Sequence, residues 1–303
     1  MVGVRESSRP VSGLKIGIPR AMYHYFHPRL WESFFNMLGA ETVYSPLTSS
    51  RTVEQASLIS EAEHCLPVKL LDAHVAALAG KVDAVFVPRY LSTLKGHVAC
   101  AKLGALPDCA QAQLRGVTPV LTVDVDVAEE PLAETLTEFG RGLGGEKKKV
   151  RTAVKAALKA WHTDPGPGPA RGRSGGFPRI LLVAHPYILH DEYFIAPIVS
   201  KLEELRIEAR RLVFADKDVA PSFIKWDSCN KMYHAVRSLT RSEAAGVIQI
   251  ISFNCGCDSM TVEFFREAVK EKSIPYMQLM IDEHTSAAGM ETRLEAFVDS
   301  MRF

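Results

Sequence analysis

Short apolar runs alternate with amphipathic segments along most of the chain. Leu30 and Phe34 recur at helical spacing with other apolar residues and predict a helix over residues 28–38. Gly39 would end this helix, and similar spacing predicts a second helix over residues 66–78. The apolar runs that we predict as strands in this half are residues 14–18, 42–44, 83–87 and 119–125.

The second half repeats this pattern after a charged helical pattern over residues 131–162, which is interrupted around residues 140–145. The strands predicted here are residues 179–184, 208–213, 244–252 and 275–281, and the predicted helices are residues 192–205, 261–272 and 291–301. Strands that alternate with helices are typical of parallel sheets with helices on both faces. The pattern therefore predicts an α/β fold.

One segment interrupts the alternation. Residues 163–178 are rich in proline and glycine and lack apolar periodicity, which is typical of a linker. A length of 303 residues also favours two domains over one. We therefore predict an N-terminal α/β domain over residues 14–162 and a C-terminal α/β domain over residues 179–303, with a cleft between them.

Composition and charge restrict the function classes. The chain is 47% hydrophobic and 23% charged, which is enough apolar content for a core in each half. Its 36 basic and 35 acidic residues give a net charge of +1, which argues against nucleic acid or a charged membrane surface as the main partner. Residues 1–13 are polar, unlike a signal peptide, and no apolar run approaches the ~20 residues that span a bilayer. We expect a cytoplasmic protein with no membrane partner.

Residues that could take part in binding or catalysis follow the predicted strands. Arg20, Arg89, His185, Cys255 and Asp282 each come within three residues of the end of a predicted strand. In open parallel sheets, ligands bind beyond the carboxyl ends of the strands. We therefore expect these side chains to gather at one edge of each sheet.

The chain has six cysteines, which are Cys65, Cys100, Cys109, Cys229, Cys255 and Cys257. A cytoplasmic location argues against a disulfide framework. Buried apolar thiols, catalytic thiols and metal ligands are the remaining interpretations. We interpret Cys109 and Cys229 as structural residues on helices.

The other four cysteines lie in predicted loops at sheet edges. Cys65 comes just before a predicted helix, where the helix dipole would stabilise a thiolate. Cys100 lies in a polar loop, and Cys255 and Cys257 flank Gly256, which lets the backbone fold tightly around a ligand. Thiolates select zinc or iron–sulfur clusters over hard cations. A single C-x-C without a C-x₂-C leaves the interpretation as buried thiols open.

Several charged groups have two interpretations each. His185 could act as an acid–base group or ligand, or could cap the strand–helix turn. Arg20 and Arg89 could hold an anionic group or the sulfide edge of a cluster, or could form a salt bridge across the cleft. Residues 282–284 could bind a hard cation, or could have a capping and ion-pair role before the last helix. The simplest interpretation of the basic run 147–149 is a solvated helix face.

Familiar nucleotide and hydrolase motifs are absent from the sequence. It contains neither a G-x-x-x-x-G-K-[ST] loop nor a G-x-G-x-x-G after a strand. It also contains no G-x-S-x-G turn. The sequence therefore carries no recognisable nucleotide-binding or hydrolase signature.

A series of short motifs carries a family resemblance. In order, they are KIGIPR at 15–20, EHCLPVK at 63–69, VPR at 87–89, LPD at 106–108, HPY at 185–187, FNCG at 253–256, IDEHT at 281–285 and TRLEAF at 292–297. Together they resemble the proteins related to the activase of 2-hydroxyacyl-CoA dehydratases. These proteins are relatives of the 2-hydroxyglutaryl-CoA dehydratase subunits and of the double-cubane cluster proteins. The resemblance covers about residues 14–300.

The resemblance implies two flavodoxin-like, or Rossmann-like, domains with a 4Fe-4S cluster between them. Three cysteines from separate loops usually hold that cluster, and they match Cys65, Cys100 and Cys255. Cys257 is the candidate fourth ligand, although related proteins often have proline there, which leaves the coordination open. The resemblance also implies an ATP-dependent, actin-like activase that supplies low-potential electrons as a separate partner.

The resulting hypothesis is an iron–sulfur protein, of dehydratase or reductase type, that accepts electrons from the activase and reduces or activates a small substrate. Arg20, Arg89 and His185 would line its pocket. Three ligands favour a single cluster, since a double cluster would require about six. A non-catalytic cluster carrier or accessory subunit is one alternative, and a zinc or metal-free small-molecule binding protein is another. A homodimer fits such folds.

Overall fold

The computed structural model describes residues 10–163, 176–212 and 222–301. Most of the predicted linker, residues 163–178, and the end of the strand predicted over residues 208–213 lie outside the described residues. The chain divides into two compact units. The first unit takes most of the chain up to Asp164 together with Lys225–Asp227, and the second takes Ala62–Pro67 and the rest.

The first unit contains twelve of the described helices and strands. In chain order they are β1 (Lys15–Ile18), α1 (Pro28–Leu38), β2 (Glu41–Tyr44), α2 (Ser50–Ile59), α3 (Leu66–Leu78), β3 (Ala84–Phe86), β4 (Arg89–Ser92), α4 (Ala101–Gln113), β5 (Val120–Leu121), β6 (Asp124–Asp126), α5 (Leu132–Gly142) and α6 (Lys147–Thr163). A short 3₁₀ helix, Met22–Tyr25, precedes α1. The first residue of α3, Leu66, and Pro67 group with the second unit.

The main sheet of the first unit is parallel, with the strand order β2-β1-β3-β5. The single strand predicted over residues 119–125 is wrong, because the chain leaves this sheet after Leu121. It forms β6 instead, which pairs in parallel with β4 in a separate two-stranded sheet. This shift places Asp124 opposite Arg89, and their side chains form an ion pair.

Aromatic side chains fill the core of the first unit. The helix predicted over residues 28–38 is confirmed, and α1 buries its apolar face as its spacing predicts. Phe34 stacks on Phe139 of α5, with 5.7 Å between ring centroids, and Phe35 meets Phe86 of β3 edge-on. Gly39 ends α1 in a left-handed conformation with φ 88°, which suits a residue without a side chain.

The second unit contains nine described elements. They are β7 (Arg179–Val183), α7 (Pro186–Leu189), α8 (Glu192–Glu204), β8 (Glu208–Arg211), α9 (Asp227–Ser238), β9 (Gly246–Ser252), α10 (Gly256–Lys270), β10 (Tyr276–Ile281) and α11 (Ala287–Met301). The first residue of α9, Asp227, groups with the first unit. The helix predicted from residue 261 starts five residues earlier, at Gly256, because Cys255 takes the N-cap position.

The sheet of the second unit is also parallel, with the order β10-β9-β7-β8. In both units the first strand lies between the second and the third, and the fourth lies outside the third. This is the strand arrangement of flavodoxin-like folds, and it confirms the prediction of two parallel α/β sheets. All seven residues of β9 are buried, as expected for a central strand covered on both faces.

The strand order identifies where ligands are expected. It reverses between β1 and β3 in the first unit, and between β7 and β9 in the second. Ligands of open α/β sheets bind at such switch points, beyond the carboxyl ends of the strands. The cleft expected between the domains stays a prediction. Among the described residues, no helix has the length and apolar character needed to cross a membrane.

Candidate functional site

Three buried side chains meet at the switch point of the second unit. His185 follows β7 at the N-cap position of α7, Cys255 follows β9 at the N-cap position of α10, and Asp258 lies in the first turn of α10. The side chains of His185 and Cys255 form no capping hydrogen bond with these helices. One ligand atom from each lies within 4.8 Å of the other two. The neighbouring strands β7 and β9 thus bring a nitrogen, a sulfur and an oxygen donor to one point.

Both ring nitrogens of His185 have partners. Nε2 lies 3.1 Å from Oδ1 of Asp258, and Nδ1 lies 2.9 Å from Oγ of Ser228 on α9. The imidazole also stacks on the ring of Tyr187, with 4.9 Å between centroids. These contacts fix the ring in both position and rotation.

The surroundings of His185 favour its charged form. Burial has the largest single influence and lowers the pKa, but the charge and hydrogen bond of Asp258, with a hydrogen bond to Cys255, outweigh it. The resulting pKa is about 10. His185 is therefore an imidazolium at neutral pH, so both of its nitrogens act as donors.

The Cys255 thiol is held in its neutral form when no cation is bound. Burial raises its pKa to about 11, although the hydrogen bond with His185 acts in the opposite direction. Cys255 also stands at the N-terminus of α10, where the helix dipole favours a negative charge. A metal that binds this sulfur would therefore displace a proton.

Two further thiols lie close to this group. Sγ of Cys229 on α9 lies 4.0 Å from Nε2 of His185, and it forms a hydrogen bond with Cys257 in the first turn of α10. Cys229 and Cys257 are both buried. Asn254 has φ 60°, a strained conformation that turns the chain just before Cys255. Cys109 and Cys229 are helix residues, as predicted.

The three cysteines matched to cluster ligands share one local feature. Cys65, Cys100 and Cys255 each come directly before the first residue of a helix, namely α3, α4 and α10. Helix N-termini stabilise thiolates through their dipoles and unpaired amide groups. Cys65 is buried and belongs to the second unit with Cys255, whereas Cys100 is half-buried and belongs to the first. None of the six cysteines forms a disulfide.

Arg89 ties together three elements of the first unit. Its guanidinium forms two hydrogen bonds with the carboxylate of Asp108 on α4, at 2.9 and 3.1 Å, and Nε lies 3.2 Å from Oδ1 of Asp124 on β6. It also donates to the carbonyl oxygen of Gly104. These contacts differ from the alternative of a salt bridge across the cleft, because Asp108, Asp124 and Gly104 all belong to the same unit as Arg89. A role of Arg89 in ligand binding stays a prediction.

Arg20 and Asp282 have different surroundings. Arg20 follows β1, and its guanidinium lies 5.0 Å from the ring centroid of Tyr44. Oδ1 of Asp282 accepts hydrogen bonds from the amide of His284 and the hydroxyl of Thr285, both at 2.9 Å. These bonds fit the predicted turn-capping role before α11.

The family model of the CoA enzyme activase uncharacterised domain matches residues 15–211 of this chain. The chain belongs to this family. Membership relates it to the activases of 2-hydroxyacyl-CoA dehydratases, in agreement with the resemblance seen in its motifs. A search of curated proteins gives no match.

The family match covers only part of the site. It includes Cys65, Cys100 and His185 but ends before Cys255 and Asp258. The buried group at the second switch point is thus assembled from a matched segment and an unmatched one. Its contacts, rather than the family match, define it.

Sequence reasoning missed Asp258, Ser228 and Cys229 as members of this group. The missed signal for Asp258 is its spacing of three residues from Cys255, which places both in one helical turn once α10 begins at Gly256. For Ser228 and Cys229, the signal would have been a helix beginning at Asp227. Asp227 is an acidic residue in that first turn, which is typical of helix starts.

Proposed function

We propose that this chain is an iron–sulfur redox protein related to the subunits of 2-hydroxyacyl-CoA dehydratases. It receives low-potential electrons from an ATP-dependent activase and reduces or activates a small substrate. The observation that carries the proposal is the buried Cys255 thiol, which sits at a helix N-terminus, hydrogen-bonded to a charged His185 at a switch point.

The donor set fits a 4Fe-4S cluster. Cys65, Cys100 and Cys255 would hold it, each from a helix N-terminus, and Cys257 is the candidate fourth ligand. Thiolates are the ligands that such clusters require, and the chain keeps its cysteines out of disulfides. When bound, the cluster supplies one-electron chemistry and, with three thiolate ligands, one iron open to substrate.

Neighbouring residues control the hydrogen bonding of the Cys255 sulfur. Asp258 and Ser228 fix the ring of His185, and His185 forms a hydrogen bond with Cys255. Hydrogen bonds to ligand sulfurs and the burial of the site both tune a cluster's reduction potential. The positive imidazolium would make a bound thiolate a weaker electron donor and so raise that potential.

Family membership supports the proposed partners. The family's description refers to a CoA enzyme activase. This description supports an activase and its dehydratase as the proteins with which this chain works. We propose that the activase binds as a separate protein. We propose that the substrate is a small molecule.

A mononuclear zinc site is the second candidate. The ligand atoms of His185, Cys255 and Asp258 lie within 4.8 Å of one another, and imidazole, thiolate and carboxylate are all zinc ligands. Under this alternative the chain would be a zinc-stabilised binding protein without redox chemistry.

Visible absorption of variants separates the two candidates. Protein purified without oxygen should show a broad absorption band that is lost on exposure to air. The variants Cys65→Ala, Cys100→Ala and Cys255→Ala should each lose most of this band, because each removes one cluster ligand. Cys109→Ala is the matched control, since Cys109 is exposed on α4 and is not a proposed ligand.

The zinc alternative predicts another pattern. Zinc would bind without colour, and its content would depend on Cys255 and Asp258 but not on Cys65 or Cys100. A colourless wild-type protein that holds one zinc with this dependence would replace the iron–sulfur proposal.

A further inference from the structure

Arg20 forms no ion pair with a carboxylate in the part of the chain that the structure describes. Arg20 lies just beyond the carboxyl end of β1, the strand next to the switch point of the first unit. Its Nε is buried and has no hydrogen-bond acceptor, and the guanidinium forms no ion pair with any residue that the structure describes. Its one recorded side-chain partner is the ring of Tyr44, with the guanidinium carbon 5.0 Å from the centroid.

Polar groups from three segments surround Arg20. Oγ of Ser45, which follows β2, accepts a hydrogen bond from the backbone amide of Arg20 at 2.8 Å. The same oxygen lies 2.9 Å from Nδ1 of His74 on α3, and Nε2 of His74 lies 3.2 Å from Oγ1 of Thr48. His24 of the 3₁₀ helix completes the group and meets the ring of Tyr44 edge-on.

The electrostatics of this group show a deficit of negative charge. Burial lowers the pKa of both His24 and His74 to about 4, and the positive charge of Arg20 contributes to both shifts. Both imidazoles are therefore neutral at pH 7. Glu32 is an acidic residue beside Tyr44, and its carboxylate forms a hydrogen bond with the Tyr44 side chain.

The backbone beside Arg20 is strained. Met22 is buried and has φ 48°, a left-handed conformation that a methionine rarely adopts. Such strain persists only where the surrounding structure imposes it, and it concentrates at binding and active sites.

We propose that Arg20, with Ser45 and His74 behind it, forms a binding site for the oxyanion of a small molecule, a carboxylate or a phosphate group. The guanidinium fork presents donors in a planar arrangement that matches both groups. Arg20, His24 and Tyr44 are half-buried rather than sealed, so that a ligand can reach them. All these residues belong to the first unit, and none of them is a proposed cluster ligand, so that anion binding can be tested separately from the cluster.

Anion titration of the full-length protein tests this site. Sodium phosphate and sodium acetate are added separately, at an ionic strength held constant with sodium chloride, and binding is followed by calorimetry. We expect saturable binding of at least one anion, which Arg20→Gln weakens by about 10-fold or more because a charge-assisted contact is lost. Arg115→Gln, which removes an exposed arginine after α4, should leave the affinity unchanged.

The two anions separate the ligand classes. Binding of phosphate alone indicates a phosphate ester, and binding of acetate alone indicates a carboxylic acid. If neither anion binds saturably, or if Arg115→Gln weakens binding as much as Arg20→Gln does, the proposal is wrong.

A second measurement covers the case in which Arg20→Gln does not fold. In the wild-type protein, the side-chain Nε–Hε resonance of Arg20 is followed by nitrogen-15 NMR during the same titrations. A saturable shift of this resonance, with the arginine at position 115 unaffected, supports the site. An Arg20 resonance that does not respond to either anion overturns it.

Discussion

Oδ1 of Asp258 lies 3.1 Å from Nε2 of His185, and both side chains are buried. The pair joins the loop after β7 to the first turn of α10, on the two central strands of one sheet. Because the pair is buried, the charge of His185 depends on the neighbouring carboxylate of Asp258. Burial is the main cause of the raised pKa of Cys255, and its hydrogen bond with the same imidazolium acts against that shift.

Asp258→Asn should lower the free energy of unfolding of the metal-free protein more than the loss of any neutral hydrogen bond in the site would. The substitution leaves the imidazolium of His185 without a counter-charge, which costs about 3–5 kcal/mol when a buried pair is broken. Urea unfolding at pH 7 measures the change. Ser228→Ala is the matched control, because it removes one hydrogen bond to the same ring and should cost about 1 kcal/mol. Equal effects of the two substitutions would contradict the account.

The stability of the metal-free protein should fall at alkaline pH. The folded-state pKa of His185 is raised from 6.5 to about 10, so its contribution is fully present below pH 6.5 and is lost as the pH rises towards 10. The pKa of Cys255 is raised from 9.0 to about 11, which adds a further loss between those values. Unfolding free energies measured from pH 6 to 10 should decline in the wild type. They should decline less in Asp258→Asn, and identical slopes would count against the assignment.

The first unit should lose stability at acidic pH through His24 and His74. Their folded-state pKa values are lowered from 6.5 to about 4, so the unfolded chain binds protons that the folded chain does not. Stability should therefore fall as the pH drops from 6.5 to 4. His24→Gln removes one of these protons, and its stability should depend less steeply on pH over this interval. A slope that His24→Gln leaves unchanged would contradict this account.

The sequence predicted the framework better than the site. The spacing of Leu30, Phe34 and Leu38 depends only on neighbours in one helix, and α1 begins and ends where that spacing predicts. The order of strands in a sheet cannot be predicted from the local sequence pattern. The meeting of His185 and Asp258 requires β7 to lie beside β9, so it could not be predicted from the spacing of the residues.

Local misreadings explain the remaining differences. Gly256 is a poor helix former, and cysteine is not a usual N-cap residue, so that the sequence pattern predicts a later start for α10 than the structure has. The apolar pattern of residues 119–125 predicts one strand, because nothing in it indicates the change of sheet after Leu121. That change follows from the pairing of β6 with β4, which is a long-range contact.

Arg89 should contribute to stability through all of its partners rather than through Asp108 alone. Asp108 is largely exposed, so that Asp108→Asn should cost at most about 1 kcal/mol, as for a surface ion pair. Arg89→Met also removes the contacts with Asp124 and the Gly104 carbonyl and should cost about 2–3 kcal/mol. Urea unfolding at pH 7 compares the two variants. A larger loss in Asp108→Asn than in Arg89→Met would contradict this arrangement.

The most direct test of the central proposal is the content of iron and acid-labile sulfide per chain, measured on protein purified without oxygen. The account predicts about four of each, as for one 4Fe-4S cluster. Both values should fall sharply in Cys255→Ala and remain unchanged in Cys109→Ala. Protein that holds zinc or no metal, while folded and free of oxygen damage, would contradict the iron–sulfur function of this chain.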